Sequence, residues 1–257
     1  MNSSTLSGRT ALVTGSGSSG GIGAAIVQVL AAAGARVVIA DLPHLKASAL
    51  SQCEALSRYG YEARFCELDV GSQQDWERVI AELAQDGLEL DVLVCNAGIN
   101  SPSAPENQSL DDWERILRVN LTGPFLGMQA VLPSMRVRGG GSIICIGSVS
   151  ASVVTPPTPG LSNAAYHASK AGLGMLAKTV AINHARDGVR VNVVAPGSVL
   201  TPMLARGGKG AELMANTPMG RLADPAEIAN AVLFLASDAA SFITASTLTV
   251  DGGYSAV

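Results

Sequence analysis

The chain has 257 residues with 17 basic and 21 acidic side chains, so its formal net charge is −4 at pH 7. Charged residues make up 15% and apolar residues 47% of the sequence, which excludes a disordered chain because enough apolar surface is present to form a core. The mild acidity and the lack of a basic run argue against nucleic acid as the main partner. No linker, internal repeat or composition break divides the sequence, so one domain over residues 1–257 is predicted.

The cysteines and the N-terminal sequence bear on where the protein works. The four cysteines form no C-x-x-C pair and have no histidine at ligand spacing, so neither a disulfide framework nor a metal site is predicted. No basic segment leads into an apolar run of the secretory type, and no stretch is long and apolar enough to span a bilayer. We therefore expect a cytoplasmic protein with no membrane partner.

Short runs rich in β-branched residues alternate with longer segments of helical periodicity along the whole chain. Several runs are almost continuously apolar, as expected for parallel strands covered on both faces. The predicted strands are 10–14, 36–40, 63–68, 92–95, 142–146, 189–194 and 247–250, and the predicted helices lie near 22–34, 45–58, 73–86, 110–137, 164–186 and 225–237. This alternation predicts an α/β fold: a doubly wound parallel sheet of Rossmann type, with about seven strands and helices on both faces.

A glycine cluster separates the first predicted strand from the first predicted helix. It includes Gly15, Gly17, Gly21 and Gly23 in the sequence TGSGSSGGIG, which starts at Thr14. Glycines let the backbone turn sharply and approach a pyrophosphate, whose charge then meets free N–H groups at a helix N-terminus. The position between strand and helix favours a dinucleotide-binding loop over a purely structural turn.

An acidic residue, Asp41, follows the second predicted strand, 18 residues after Gly23. A carboxylate at this place can accept hydrogen bonds from both ribose hydroxyls of an adenosine, and it would repel a 2′-phosphate. Asp41 therefore predicts NAD as the cofactor, while a solvated turn or a helix cap is the alternative interpretation.

From Gly8 to Tyr254 the chain resembles the short-chain dehydrogenase/reductase family. The resemblance rests on the glycine loop, which is two residues longer than the family pattern TGxxxGxG, together with LDV at 68–70, CNAG at 95–98, YHASK at 166–170 and PGSVLT at 196–201. In CNAG a cysteine, Cys95, replaces the first Asn of the family's NNAG, a change that implies a looser hydrogen bond within the sheet.

The resemblance implies roles for residues throughout the cofactor site. The side chain of Asp69 and the backbone of Val70 would hold the adenine, and the segment after the sixth strand would contact the nicotinamide carboxamide. The implied cofactor-binding residues are Gly15, Gly17, Gly21, Ile22, Gly23, Asp41, Asp69, Val70, Asn96, Ala97, Gly98, Tyr166, Lys170, Pro196, Gly197, Val199 and Thr201.

Four residues are predicted to be catalytic: Asn120, Ser148, Tyr166 and Lys170. The i, i+4 spacing places Tyr166 and Lys170 on one helix face. A free phenol, with a pKa of about 10, is a poor base at neutral pH, but a neighbouring ammonium favours the phenolate. The resemblance further implies that Ser148 bonds the reacting oxygen and that Asn120 holds a water linking Lys170 to solvent.

The predicted function is that of an NAD(H)-dependent oxidoreductase that interconverts a small secondary alcohol and a ketone by hydride transfer, with Tyr166 as general acid/base. The alternatives are an NADPH-dependent 3-oxoacyl thioester reductase and a non-catalytic dinucleotide-binding module.

The walls of the substrate pocket are expected from about 99–106, 149–163 and 200–220, with 154–163 as an ordered wall and 203–222 as a lid. The identity of the alcohol stays open. The family resemblance implies a homotetramer built on the helices near 110–137 and 164–186.

Overall fold

The computed structural model describes residues 5–101, 103–154, 163–205 and 210–257. Within these residues, seven strands alternate with nine α-helices. The strands are β1 (Thr10–Thr14), β2 (Arg36–Asp41), β3 (Ala63–Glu67), β4 (Val92–Cys95), β5 (Gly141–Ile146), β6 (Val189–Pro196) and β7 (Thr247–Val250). The helices are α1 (Ile22–Ala32), α2 (Lys46–Ser57), α3 (Gln73–Gln85), α4 (Leu110–Leu117), α5 (Gly123–Val137), α6 (Ala164–His184), α7 (Pro202–Ala205), α8 (Gly210–Ala215) and α9 (Pro225–Ala236).

All seven described strands form one parallel sheet in the order β3-β2-β1-β4-β5-β6-β7. The chain runs outward from β1 in one direction and, after β3, returns to β4 and continues in the other. The strand order therefore reverses between β1 and β4, and open α/β sheets bind ligands in the crevice at the carboxyl ends of the strands around such a point. The predicted doubly wound sheet is confirmed.

Two apolar clusters cover the sheet, one on each face. Val13 and Ile39 point to the face packed by α1 and α9, whereas Leu12 and Val38 point to the face packed by α3, α5 and α6. Because successive side chains of a strand alternate between the faces, both faces must be apolar. This explains why several strands, such as β1 and β4, are almost continuous apolar runs rather than alternating ones.

The structure departs from the predicted elements in two places. The segment 110–137 is not one helix, because a π-helical turn, Arg118–Thr122, separates α4 from α5. The segment 203–222 contains most of α7 and all of α8, and its residues 206–209 lie outside the described residues. The predicted wall 154–163 also falls largely outside them. No described helix combines the length and apolar character needed to cross a membrane.

Candidate active site

The glycine loop packs directly against the segment that follows β4. Gly15 has φ = +64°, a left-handed conformation that favours glycine, and a Cβ built on it would lie 2.6 Å from Cα of Ala97. A Cβ on Gly23 would lie 2.6 Å from Nδ2 of Asn96. Gly21 caps α1 without a side-chain hydrogen bond. The N-terminal N–H groups of α1 therefore have no side-chain cap, and a helix end of this kind is suited to a pyrophosphate.

The part of the glycine loop around Gly17 packs against Asp41. The N–H of Gly17 donates to Oδ2 of Asp41 over 2.8 Å, and a Cβ on Gly17 would lie only 2.9 Å from Cβ of Asp41. Gln52 of α2 braces the loop from the other side, because its Nε2 donates to the carbonyl oxygens of Ser16 (3.2 Å) and Gly17 (2.9 Å). The sequence analysis did not identify Gln52, since nothing in its spacing marks a contact with residues 35 and 36 positions earlier.

The surroundings of Asp41 are acidic. Glu67 pairs with Asp41 in the register of β2 and β3, so two carboxylates lie side by side at the carboxyl ends of these strands. Lys46 approaches this pair, and its Nζ lies 3.1 Å from Oε1 of Glu67. This ammonium is therefore balanced by Glu67.

Hydrogen bonds between the ends of β1 and β4 fix the crevice at the point where the strand order reverses. Oγ1 of Thr14 accepts from the N–H groups of Asn96 (3.0 Å) and Ala97 (3.1 Å). Nδ2 of Asn96 donates to the carbonyl oxygens of Thr14 (2.8 Å) and Gly15 (2.9 Å). Asn96 thus fastens the glycine loop to the end of β4, a structural role in addition to the cofactor-binding role predicted from the sequence.

Cys95 packs inside the sheet beside Cys145, its register partner in β5. A hydrogen bond with Cys145 and the burial of both side chains raise the pKa of the Cys95 thiol well above its usual range. The thiol is therefore a neutral packing group, and a buried thiol of this kind is chemically inert.

Asp69 and Val70 lie at the carboxyl end of β3, at the far side of the crevice. Oδ1 of Asp69 accepts from the N–H of Gly71 over 2.8 Å, and Oδ2 pairs with the guanidinium of Arg118. The carbonyl of Val70 accepts from Nε1 of Trp76 over 3.0 Å. Arg118 is a second residue that sequence reasoning missed, because its partner lies 49 positions away.

Ser148, Tyr166 and Lys170 come together at the carboxyl end of β5. Nζ of Lys170 donates to the carbonyl of Ile146 over 2.8 Å and lies 5.7 Å from the centroid of the Tyr166 ring. Burial lowers the pKa of Lys170 to about 8. Burial also raises the pKa of Tyr166, while a hydrogen bond with the Ser148 side chain lowers it. Tyr166 of the predicted i, i+4 pair thus contacts the predicted serine, and Lys170 contacts Tyr166.

Asn120 lies in the π-helical turn and is fully buried. Its Oδ1 accepts from the N–H of Ile99 over 2.8 Å, and its Nδ2 donates to the carbonyl of Ile99 (2.9 Å) and to Oγ of Ser169 (3.1 Å). A Cβ built on Gly98 would lie 3.5 Å from both Oδ1 of Asn120 and Nζ of Lys170. Asn120 therefore belongs to the same cluster, and π-turns often occur at functional sites.

The predicted nicotinamide segment follows β6 at the same edge of the sheet. The N–H of Gly197 donates to the carbonyl of Val250 over 3.0 Å, and a Cβ on Gly197 would lie 2.8 Å from Cβ of Asp251. Val199 is buried and forms an isolated bridge with Ala223, and Oγ1 of Thr201 accepts from the N–H of Leu204 over 3.4 Å.

In the parts of the chain that the structure describes, no group of three or more His, Cys, Asp or Glu side chains could hold a metal ion.

Comparisons with known proteins agree with this geometry. A family model described as enoyl-(acyl carrier protein) reductase matches residues 15–255. The trans-4-hydroxycyclohexanecarboxylate dehydrogenase of Sinomonas cyclohexanicum is 42% identical over 246 residues, which cover 94% of this chain and 91% of that protein. The chain belongs to the short-chain dehydrogenase/reductase family.

Two further members of the short-chain dehydrogenase/reductase family widen the comparison. The galactitol 2-dehydrogenase of Rhizobium johnstonii is 37% identical, with 97% of this chain and 96% of that protein covered. The crystal structure of a gluconate 5-dehydrogenase from Burkholderia cenocepacia J2315, in complex with NADP and tartrate, superposes with a TM-score of 0.91 at 35% identity, covering 99% and 98% of the two chains. The family uses nicotinamide dinucleotides, and NADP occurs among these neighbours.

Proposed function

We propose that the protein is an NAD(H)-dependent oxidoreductase that interconverts a small secondary alcohol and a ketone. The observation that carries this proposal is the cluster of Asn120, Ser148, Tyr166 and Lys170 at the sheet edge where the glycine loop also lies. The cofactor, when bound, supplies hydride acceptance and donation. The protein supplies orientation and the proton.

The four clustered residues divide the proton chemistry among them. The Tyr166 hydroxyl exchanges a proton with the substrate oxygen, and the Ser148 hydroxyl, already bonded to Tyr166, orients that oxygen. The Lys170 ammonium favours the phenolate, which burial alone would disfavour. With a pKa of about 8, Lys170 is mostly protonated at neutral pH. Asn120 is assigned the link between Lys170 and solvent.

The loop geometry supports a dinucleotide in the crevice. The uncapped start of α1 would receive the pyrophosphate, Asp41 the adenosine ribose, and the ends of β3 and β6 the two bases. Asp41 favours NAD(H), because a 2′-phosphate would meet its carboxylate, whereas the neighbouring Glu67 is already paired with Lys46. The NADP-bound neighbour keeps NADP(H) as the alternative that kinetics must test.

The substrate class follows from what the relatives share. The three named relatives act on trans-4-hydroxycyclohexanecarboxylate, galactitol and gluconate, at positions that carry a secondary alcohol. The expected wall segments 99–106 and 149–163 contain no Arg or Lys, so no cation from these segments would bind an anionic group beside the reacting carbon. A cyclic alcohol or a polyol is therefore the proposed substrate class.

An NADPH-dependent 3-oxoacyl thioester reductase is the second candidate, because the matching family model is described as an enoyl-(acyl carrier protein) reductase, whose name points to an acyl thioester substrate. The assay that separates the candidates follows absorbance at 340 nm with NAD+ or NADP+ and the three alcohols, and with NADPH and a 3-oxoacyl thioester. Alcohol oxidation with NAD+ is expected, and thioester reduction as the faster reaction would overturn the proposal. Inactivity in all arms despite NADH binding would favour the non-catalytic module.

The variant Tyr166→Phe tests the mechanism directly. It removes the phenolic oxygen and keeps the ring, so kcat should fall by at least about 100-fold while NADH binding, measured by fluorescence, is retained. A variant with half of the wild-type turnover would contradict the assigned role. Ser109→Ala, which removes an exposed helix cap on α4, is the matched control and should leave kcat unchanged.

The proposal includes one domain that carries both the cofactor and substrate sites, and a homotetramer. One continuous sheet supports the single domain. Assembly is supported by large apolar side chains that stay exposed on the helices expected at the interface, with Phe125 on α5 46% exposed and Met175 on α6 64% exposed. Isolated exposed apolar residues are common, so the argument rests on their occurrence on adjacent helices.

A further inference from the structure

A pair of side-chain amides, from the half-buried Gln108 and the fully buried Asn163, joins the segment after β4 to the first turn of α6. Oδ1 of Asn163 accepts from the N–H of Tyr166 (2.9 Å) and from Nε2 of Gln108 (3.0 Å). Oε1 of Gln108 accepts from the N–H of Ala165 over 3.3 Å, and Nδ2 of Asn163 donates to the carbonyl of Ser101. We call Gln108 and Asn163 the amide bracket.

Helix capping alone does not account for the bracket. An N-cap needs one side-chain acceptor, and serine provides it as well as asparagine does. Asn163 is fully buried and uses both lone pairs of Oδ1 and an N–H of Nδ2, with two of these three bonds reaching residues 55 and 62 positions away. Burial of an amide is costly unless its groups are bonded, so these contacts fix the two segments relative to each other.

The backbone of Tyr166 is held from both sides. Its N–H is bonded to Asn163, and its carbonyl accepts from Oγ of Ser169 over 2.7 Å. Ser169 in turn accepts from Nδ2 of Asn120, which also bonds the N–H and carbonyl of Ile99. The segment that starts at Ile99 is thus tied to α6 near its beginning by Asn120 and near its end by the amide bracket.

We propose that Gln108 and Asn163 are positioning residues that set where the Tyr166 hydroxyl lies relative to Ser148 and Lys170. This inference rests on the proposed function, because it gives the Tyr166 hydroxyl its role as acid and base. Ser148 follows β5 whereas Tyr166 lies on α6, so their mutual bond depends on how the first turn of α6 is anchored. Displacement of a catalytic group by about 1 Å can cost about 100-fold in rate.

Other polar and ionisable groups around Tyr166 are few in the described residues. Lys170 lies under its ring, and the ring of His167 lies edge-on at 6.5 Å between centroids. Nδ1 of His167 is 2.8 Å from the carbonyl of Ser150, in the turn after Ser148. Behind Lys170 lie the buried thiols of β4 and β5. Neither member of the bracket is ionisable. Gln108 also bonds Asp112, but Arg115 is the main cause that lowers the pKa of that carboxyl, so replacement of Gln108 removes no charge.

Two variants separate anchoring from capping. Asn163→Ser keeps an N-cap hydroxyl but is too short to reach Gln108 and Ser101. Gln108→Met keeps the length of the side chain and removes both of its hydrogen bonds to α6 and its cap. Ser109→Ala is the matched control, because Oγ of Ser109 accepts from the N–H of Asp112 within α4.

The assay uses NAD+ and whichever of trans-4-hydroxycyclohexanecarboxylate, galactitol and gluconate the wild type oxidises fastest. Both bracket variants should lose about tenfold to 100-fold in kcat, with KM for NAD+ within twofold of wild type. In the dependence of kcat on pH, the acid limb should move to higher pH. The hydrogen bond with Ser148 lowers the pKa of Tyr166, so a weaker bond leaves this pKa higher than in the wild type. A role in folding alone would lower the melting temperature and leave the limb in place.

Hydrogen exchange supplies a readout that needs no substrate. In Gln108→Met the amides of 164–170 should exchange faster than in the wild type and in Ser109→Ala, while those of α1 stay unchanged. Unchanged kcat, acid limb and exchange in both bracket variants, beside an inactive Tyr166→Phe, would overturn this inference and leave the proposed function standing. Full activity in Tyr166→Phe would instead overturn the proposed function.

Discussion

Replacement of Lys170 by methionine is expected to expose a conflict between stability and the proposed chemistry. The lysine side chain is buried, its Nζ bonds the carbonyl of Ile146, and its pKa is lowered from 10.5 to about 8 by burial. Between pH 8 and pH 10.5 the folded protein has released this proton and the unfolded chain has kept it. The free energy of unfolding therefore rises with pH through this window, and the cost of burying the ammonium is fully present below it.

The magnitude follows from the two pKa values. Their difference, 10.5 against about 8, corresponds to a cost of about 3 kcal/mol at neutral pH. Methionine removes this cost, but it leaves the buried carbonyl of Ile146 without its ammonium donor, which costs about 1–3 kcal/mol. At pH 7 we therefore expect Lys170→Met to be between equally stable and about 2 kcal/mol more stable than the wild type, although it should be catalytically impaired.

The pH dependence of this stability difference is a sharper test than its value at pH 7 alone. The difference in unfolding free energy between Lys170→Met and the wild type should shift by about 1 kcal/mol in favour of the wild type between pH 7 and pH 9, because other ionisable groups cancel in the difference. Urea denaturation at several pH values measures it. Lys178→Met, which removes an exposed lysine of the same helix, is the matched control. A difference that stays constant from pH 7 to pH 9 would refute the argument.

Two further predictions concern cofactor choice and assembly. The wild type should prefer NAD+ over NADP+ by about 30-fold or more in kcat/KM, because a 2′-phosphate about 4 Å from Asp41 would be repelled by about 2 kcal/mol or more. Asp41→Ala should bring this ratio toward one, and a wild-type preference for NADP+ would contradict the role of Asp41. Light scattering should show a tetramer that a double substitution, Phe125→Glu and Met175→Glu, reduces to smaller species. A monomeric wild type would contradict the proposed assembly.

The strands could be predicted from the sequence because burial on both faces of the sheet requires apolar residues at successive positions. The run 92–95 is apolar at every position and the run 36–40 at every position after Arg36, and the structure places these apolar residues between two helical layers. The structure moves the ends of the strands by two residues at most, for example from 194 to Pro196 in β6. Such ends depend on hydrogen bonds to neighbouring strands, which periodicity does not encode.

The break between α4 and α5 could not be predicted in the same way. The sequence 110–137 keeps a helical pattern across the π-helical turn, and the local signal of a break is the pair Gly123 and Pro124, which follows Arg118–Thr122 and begins α5. A tertiary contact accompanies this local signal, because Asn120 bonds both backbone groups of Ile99 and the turn accommodates that contact. A pattern of local spacing carries no information on a partner 21 residues away.

The residues that the sequence did not reveal at the site also depend on partners that are distant in the chain. Gln52, Gln108 and Arg118 each act through partners 35 to 57 positions distant. Asn163 is different, since an asparagine directly before a helical segment is a typical N-cap and could have been found from the sequence. What the sequence could not show is that this cap also bonds the segment after β4.

The predicted catalytic residues are anchored mainly by backbone groups rather than by one another. Lys170 bonds the carbonyl of Ile146, Asn120 bonds Ile99, and the N–H of Tyr166 is bonded by Asn163. Backbone partners come from the sheet edge and the helices, so the geometry of the cluster is fixed before a ligand arrives. The hydroxyl of Tyr166, bonded only to Ser148 among these groups, keeps hydrogen-bonding capacity for a substrate oxygen. Rigid supports around two hydroxyls are what proton exchange at an alcohol carbon requires.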